Sequence, residues 1–161
     1  MNKVLISVAK YIRDLLSHDE QLIKIGRSDE ELENSTDNYI AVDALGPAQR
    51  LTQGKKFDGD AEVMMHSVKY RQEITLSFYG VDAYDLANDF ILMQSDQLSY
   101  DLQNQLQITV LKADSIIDVK LLSSDTYVNR LDVSFSLLYN KQKEISTRRI
   151  DELQYTLIEN K

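Results

Sequence analysis

The sequence contains no cysteine. That excludes a disulfide framework, a thiolate zinc site, an iron–sulfur cluster and a cysteine nucleophile. Tryptophan is absent too, and histidine occurs only as His18 and His66. With one proline and five glycines the chain is unlike disordered or linker-rich sequences. Basic residues are in deficit, 18 against 26 acidic ones, for a net charge of −8. An acidic surface repels phosphate, which argues against a reader of DNA or RNA sequence.

Long apolar runs are missing as well. No window approaches the roughly 18 uncharged apolar residues of a membrane-spanning helix. The opening residues do not read as a signal peptide, because Lys10, Arg13 and Asp14 interrupt the apolar positions. What remains is a chain of 161 residues, 43% apolar and 27% charged. That is enough to bury a core without a metal or a disulfide. A single α+β domain is expected over residues 1–145, with residues 146–161 as a C-terminal strand or extended arm.

Periodicity supplies the elements. Val4, Val8, Tyr11, Ile12 and Leu15 recur at three- and four-residue steps, predicting an amphipathic helix from about Lys3 to Ser17. Leu22 to Ile25 fits either a strand or a helical turn. Arg27 to Asn38 is acidic and nearly devoid of apolar residues, and reads as a loop. Tyr39 to Leu45 is predicted as a strand ended by Gly46-Pro47. Ala48 to His66 is an extended hairpin or long loop with a turn at Phe57-Asp58-Gly59-Asp60. Val68 to Tyr79 alternates, with Val68, Tyr70, Ile74, Leu76 and Phe78 on an apolar face and Lys69, Arg71, Glu73, Thr75 and Ser77 on a polar one. Gly80 closes it, and Asp82 is placed to cap the next helix.

Ala83 to Leu106 is helical, with a break near Ser95-Asp96 where Ser95 is the expected cap. Leu86, Phe90, Leu98 and Leu102 are expected to pack on the sheet. Gln107 to Val119 reads as a strand interrupted at Lys112 to Ser115. Val128 to Tyr139 is a further alternating strand, with Leu131, Val133 and Phe135 as core. The fold class is α+β, a mainly antiparallel sheet with helices packed on one face and a long hairpin insertion.

No residue pattern in the sequence announces a chemistry. His18 and His66 each lack a second ligand nearby and read as solvated or hydrogen-bonded histidines. Phe57 to Glu62 has part of a calcium-loop pattern but too few oxygen ligands at the right positions, so it reads as a polar turn. There is no Gly-x-Gly-x-x-Gly, no Walker lysine loop and no Gly-x-Ser-x-Gly. The acidic stretch Arg27 to Asp37 reads as a solvated loop, and Arg148-Arg149 is too short a basic step to bind nucleic acid. Arg71 and Arg130 sit on polar strand positions, where they either pair with Asp43 and Asp132 or face solvent. The nine tyrosines include candidates for interface anchors. No residue is assigned a catalytic, cofactor-binding or metal-ligating role, and no cofactor is expected.

One ordered set of segments is more specific than its parts. It runs from Tyr39-Ile40-Ala41-Val42-Asp43 through Tyr70-Arg71-Gln72-Glu73-Ile74-Thr75-Leu76-Ser77-Phe78-Tyr79-Gly80. It continues with Ala83-Tyr84-Asp85-Leu86-Ala87 and Leu92-Met93-Gln94-Ser95-Asp96, and ends at Asn129-Arg130-Leu131-Asp132-Val133-Ser134-Phe135. In this order it resembles the phage neck or tail-terminator proteins of long-tailed bacteriophages and prophages, over roughly Tyr39 to Tyr139.

The resemblance implies a virion structural protein, not an enzyme, assembled in the bacterial host cytoplasm and located at the head–tail junction. It further implies a ring, usually a hexamer, that caps the tail tube and meets the head-completion protein. Genomic DNA would then pass through the ring, and an acidic lumen would let it slide without specific binding. No membrane partner is implied. Other classes that share a small sheet-and-helix fold are another head–tail adaptor or baseplate subunit, and a small ligand-binding domain or enzyme.

Overall fold

The computed structural model describes residues 3–26, 38–113, 115–119, 121–123 and 126–146. The chain opens with helix α1, Lys3–Leu16. Val8, Tyr11, Ile12 and Leu15 are buried, as the spacing predicts, while Leu5 takes the buried place expected of Val4, which is half-buried. The ambiguous segment after it is both things in succession. Glu20–Leu22 is a single 3-10 turn capped by Asp19, whose carboxylate accepts from the Gln21 amide, and Ile23–Ile25 is strand β1. The acidic 27–37 stretch and the 146–161 arm, apart from Ser146, lie outside the described residues.

Two long strands follow, β2 at Tyr39–Asp58 and β3 at Val63–Tyr79. They pair antiparallel from Tyr39↔Tyr79 to Asp58↔Val63. The Ala48–His66 insertion is therefore the outer half of one hairpin, closed by residues 59–62. The Asp58 carboxylate accepts from the amides of Asp60 and Ala61 and holds that turn.

Helices α2, Ala83–Met93, and α3, Gln97–Leu106, come next. Strands β4, Ile108–Val110, and β5, Ile116–Asp118, are separated at the polar interruption seen in the sequence. Short strands β6, Leu121–Ser123, and β7, Thr126–Val128, pair with each other. Strand β8, Arg130–Ser146, completes the described residues. The main sheet is six-stranded in the order β1-β2-β3-β8-β4, with β5 also on β8. Among the described residues only the β1–β2 pair is parallel. The expected α+β architecture holds, with the helices gathered on one face.

Core residues come from alternate positions of the central strands: Ile40 and Val42, Ile74, Leu76 and Phe78, and Leu131, Val133, Phe135 and Leu137. The α1 face, Ala87 and Phe90 of α2, and Leu102 of α3 close over them. Phe90 is the hub. Its ring lies 6.2 Å from that of Phe78 and 5.7 Å from that of Phe135, both tilted.

Several sequence expectations need correcting. Gly46-Pro47 does not end a strand. It forms a bulge inside β2, where the register slips between Leu45 and Gln49. Gly46 takes φ +68°, and Pro47, which has no N–H to offer the ladder, falls at the interruption. Buried Gln72 donates to the Gly46 carbonyl at 2.8 Å and fills the gap. Tyr70 and Val68 share the core face by alternation but are only half-buried, because the helical layer ends short of them. On the opposite face Thr75 and Ser77 are buried although polar. Thr75 and Ser134 share a 3.0 Å hydroxyl hydrogen bond across β3 and β8.

In the helices, Leu98 is 41% exposed, and the buried position of that turn is Ser99. The cap of α3 is Asp96, accepting from the Gln97 amide at 2.7 Å, in place of Ser95. Asp82 does occupy the position before α2 but makes no side-chain cap. Asn38 claims it instead, donating to its carboxylate and accepting from its amide at 2.9 Å.

Candidate assembly surface

Beyond the bulge, β2, β3 and β8 leave the core together. β3 pairs with β8 without a break from Tyr79↔Arg130 to Val63↔Ser146. The outer part, residues 63–71 of β3 with its two neighbours, forms a three-stranded arm about 30 Å long. The strand pattern extends this far because the alternation never stops. The core ends because large apolar residues give way on that face to Lys141 opposite Val68, and then to Lys55, His66 and Lys143 in the next row.

At the root of the arm Tyr70 and Tyr139 stack, 5.5 Å between centroids. The Lys141 ammonium lies 5.3 Å from the Tyr70 ring and 5.8 Å from that of Tyr139. Burial, and then the neighbouring Tyr70, pushes the Tyr139 phenol up from its ordinary value. At the tip Phe57, Met64 and Ile145 stand side by side on one face, and Phe57 and Ile145 are exposed.

The sheet face away from the helices carries a second aromatic pair. Tyr39 and Tyr79 stack at 4.3 Å, with Lys24 at 4.7 Å from Tyr39 and the Arg130 guanidinium 5.7 Å from Tyr79. Arg130 and Asp132 form a two-point ion pair at 2.8 Å along one strand, not across strands. That hydrogen bonding is the main reason the Arg130 pKa is raised. Arg71 likewise pairs with Glu73 on its own strand at 3.0 Å, and both reach Ser136. Neither arginine faces solvent unpaired, and Asp43 is the partner in neither pair.

The helical layer has its own polar network. The Tyr11 hydroxyl meets Ser99 Oγ at 2.8 Å, Gln103 donates to Ser99 at 3.0 Å, and the Val110 amide donates to Gln103 at 2.8 Å. It ties α1, α3 and β4 together. Alternating hydrophobicity cannot reveal it, since Ser99 and Gln103 look like surface residues.

The chemistry-bearing candidates remain apart. His18 shares a 3.2 Å hydrogen bond with the Asn38 carbonyl, and His66 lies on the arm. Among the described residues no three His, Asp or Glu side chains are grouped to hold a metal ion. A cleft of about 190 Å³ between α1 and β1 contains Arg13 and Glu20, but these are ion-paired to each other at 2.9 Å. No helix among the described residues is long and apolar enough to cross a membrane.

What the surface offers is recognition by shape, apolar contact and charge. No curated protein matches the chain. A family model described as "phage neck terminator protein" matches residues 6–161. That match takes in the helices, the sheet, the arm and the C-terminal residues, so the chain belongs to the phage neck terminator protein family.

Proposed function

We propose that this neck terminator protein closes into a ring, of six copies by analogy with its family, on the head-proximal end of the tail tube. There it stops tube polymerisation and joins the tube to the head-completion protein. The observation that carries this reading is the arm. A three-stranded ribbon that exposes Leu51 and Phe57 beyond its own core offers apolar surface to a neighbour. A contact between two different patches of identical subunits closes into a ring when its rotation permits.

Membership of a structural neck family supports a virion component with no catalytic task. The net charge of −8 supports a lumen along which DNA moves without being held. A phage carrying a nonsense mutation in this gene tests the reading. Electron microscopy should show tail tubes of uncontrolled length, unattached to heads, and restored length when the protein is supplied. Tails of normal length joined to heads would contradict it.

A further inference from the structure

We propose that the basic face of the arm of one copy receives the outer face of α2 of the next copy. The two surfaces have complementary charge. On the arm, Lys55 and Lys143 flank His66 in one row across the three strands. The next row towards the tip is Phe57, Met64 and Ile145. On α2 the buried side is Ala83, Ala87 and Phe90. The opposite side presents Asp85 and Asp89, followed by Leu92, which is 72% exposed. No ion pair among the described residues engages Lys55, Lys143, Asp85 or Asp89.

Spacing brings the two patterns within the reach of lysine side chains, though not row for row. Adjacent rows of an arm face are two residues apart, about 6.6 Å. Asp89 and Leu92 are three residues apart on a helix, about 4.5 Å along its axis, and Asp85 lies one turn back. A helix laid along the strands therefore sets Leu92 against the apolar row while Asp89 and Asp85 meet the lysines.

Among the described residues the buried cluster under the helices takes in β3 at Ile74, Leu76 and Phe78, so α2 packs on the core half of the strand and not on the arm. DNA would also suit the lysines. A phosphate backbone has nothing apolar to set against Phe57 and Met64, whereas α2 supplies both halves. The two patches differ, so each copy gives one and receives the other, which is the heterologous contact a ring requires.

The inference rests on the ring reading, and its test separates the two. Because the chain has no cysteine, Phe57→Cys and Leu92→Cys can be placed together in an otherwise thiol-free protein. A short bis-maleimide is then applied to phage particles assembled with that variant. A ladder of covalently linked oligomers is expected, and neither single variant should give more than a dimer. Adding Lys55→Glu and Lys143→Glu, or Asp85→Lys and Asp89→Lys, should cut the linkage about tenfold. Combining both reversals should restore it.

Particles that contain the ring by electron microscopy but give no ladder would overturn the arm-on-helix contact and leave the ring standing. Loss on lysine reversal without loss on aspartate reversal would overturn it in favour of another acidic occupant, DNA or the tube. Particles that lack the protein would sink the ring reading and this inference with it.

Discussion

At the scale of single residues, alternation separates true core from its extrapolation. Phe78 is fully buried and touches the Phe90 hub. Phe78→Ala should destabilise the protein by about 3–5 kcal/mol. Leu98 has the same apolar character and a helical position that suggests burial, yet is 41% exposed. Leu98→Ala should change stability by about 0.5 kcal/mol or less. Urea unfolding of the two variants checks both values, and a loss of several kcal/mol for Leu98→Ala would mean that the helical layer packs differently. Tyr11 adds a pH dependence. Burial raises its phenol pKa, with hydrogen bonds from Ser99 and Gln103 acting the other way. The folded state therefore holds the proton more tightly than the unfolded chain, where the phenol titrates near 10. Its contribution is fully present below about pH 10 and is lost as pH rises through the folded pKa. Tyr11→Phe should remove that part of the alkaline loss of stability, measured by urea midpoints between about pH 9 and pH 11.

At the scale of elements, strands and helices were legible where apolar residues repeat and obscure where polar side chains decide. The 3.6-residue step of Val8, Tyr11, Ile12 and Leu15 locates α1, and the two-residue step of Ile74, Leu76 and Phe78 locates the core of β3. The break between α2 and α3 is visible in the sequence near Ser95-Asp96. Its cap was misplaced by one residue, because Ser95 and Asp96 are both good capping types and only backbone geometry chooses between them. Gly46-Pro47 departs from expectation for a different reason. In most contexts this pair stops a strand, but here the long partner β3 holds both sides of it in one ladder. The bulge then depends on Gly46 keeping φ +68°. A Cβ at Gly46 meets nothing within 4 Å, so Gly46→Ala brings backbone strain without a clash. It should cost about 1–2 kcal/mol by thermal or urea denaturation. A neutral substitution would show that the bulge can re-register. The candidate surface was only partly readable. The sequence displayed the hairpin and the tyrosines, but joining Lys55 to Lys143 and Phe57 to Ile145 requires the register of strands some 90 residues apart.

At the scale of the whole molecule, two parts with different physical demands share one sheet. The half beneath the helices buries its apolar face and carries the folding energy. The arm repeats the same backbone ladder with charged and half-buried side chains, and its ladder bonds are worth little where water competes for them. The arm should therefore be separable from the fold. Replacing residues 53–68 by Asn-Gly would close the hairpin on the existing Thr52↔Lys69 pair with a favoured two-residue turn. Circular dichroism should show a cooperative unfolding transition within about 2 kcal/mol of the full chain, since no residue of the buried cluster is removed. The same variant should fail to restore tail length in a phage lacking the gene, because the surface offered to neighbours has gone while the core remains. A chain that no longer folds would show that the arm is part of the folding unit. A chain that folds and still terminates tails would show that assembly uses the sheet face of Tyr39 and Tyr79, or the helices alone.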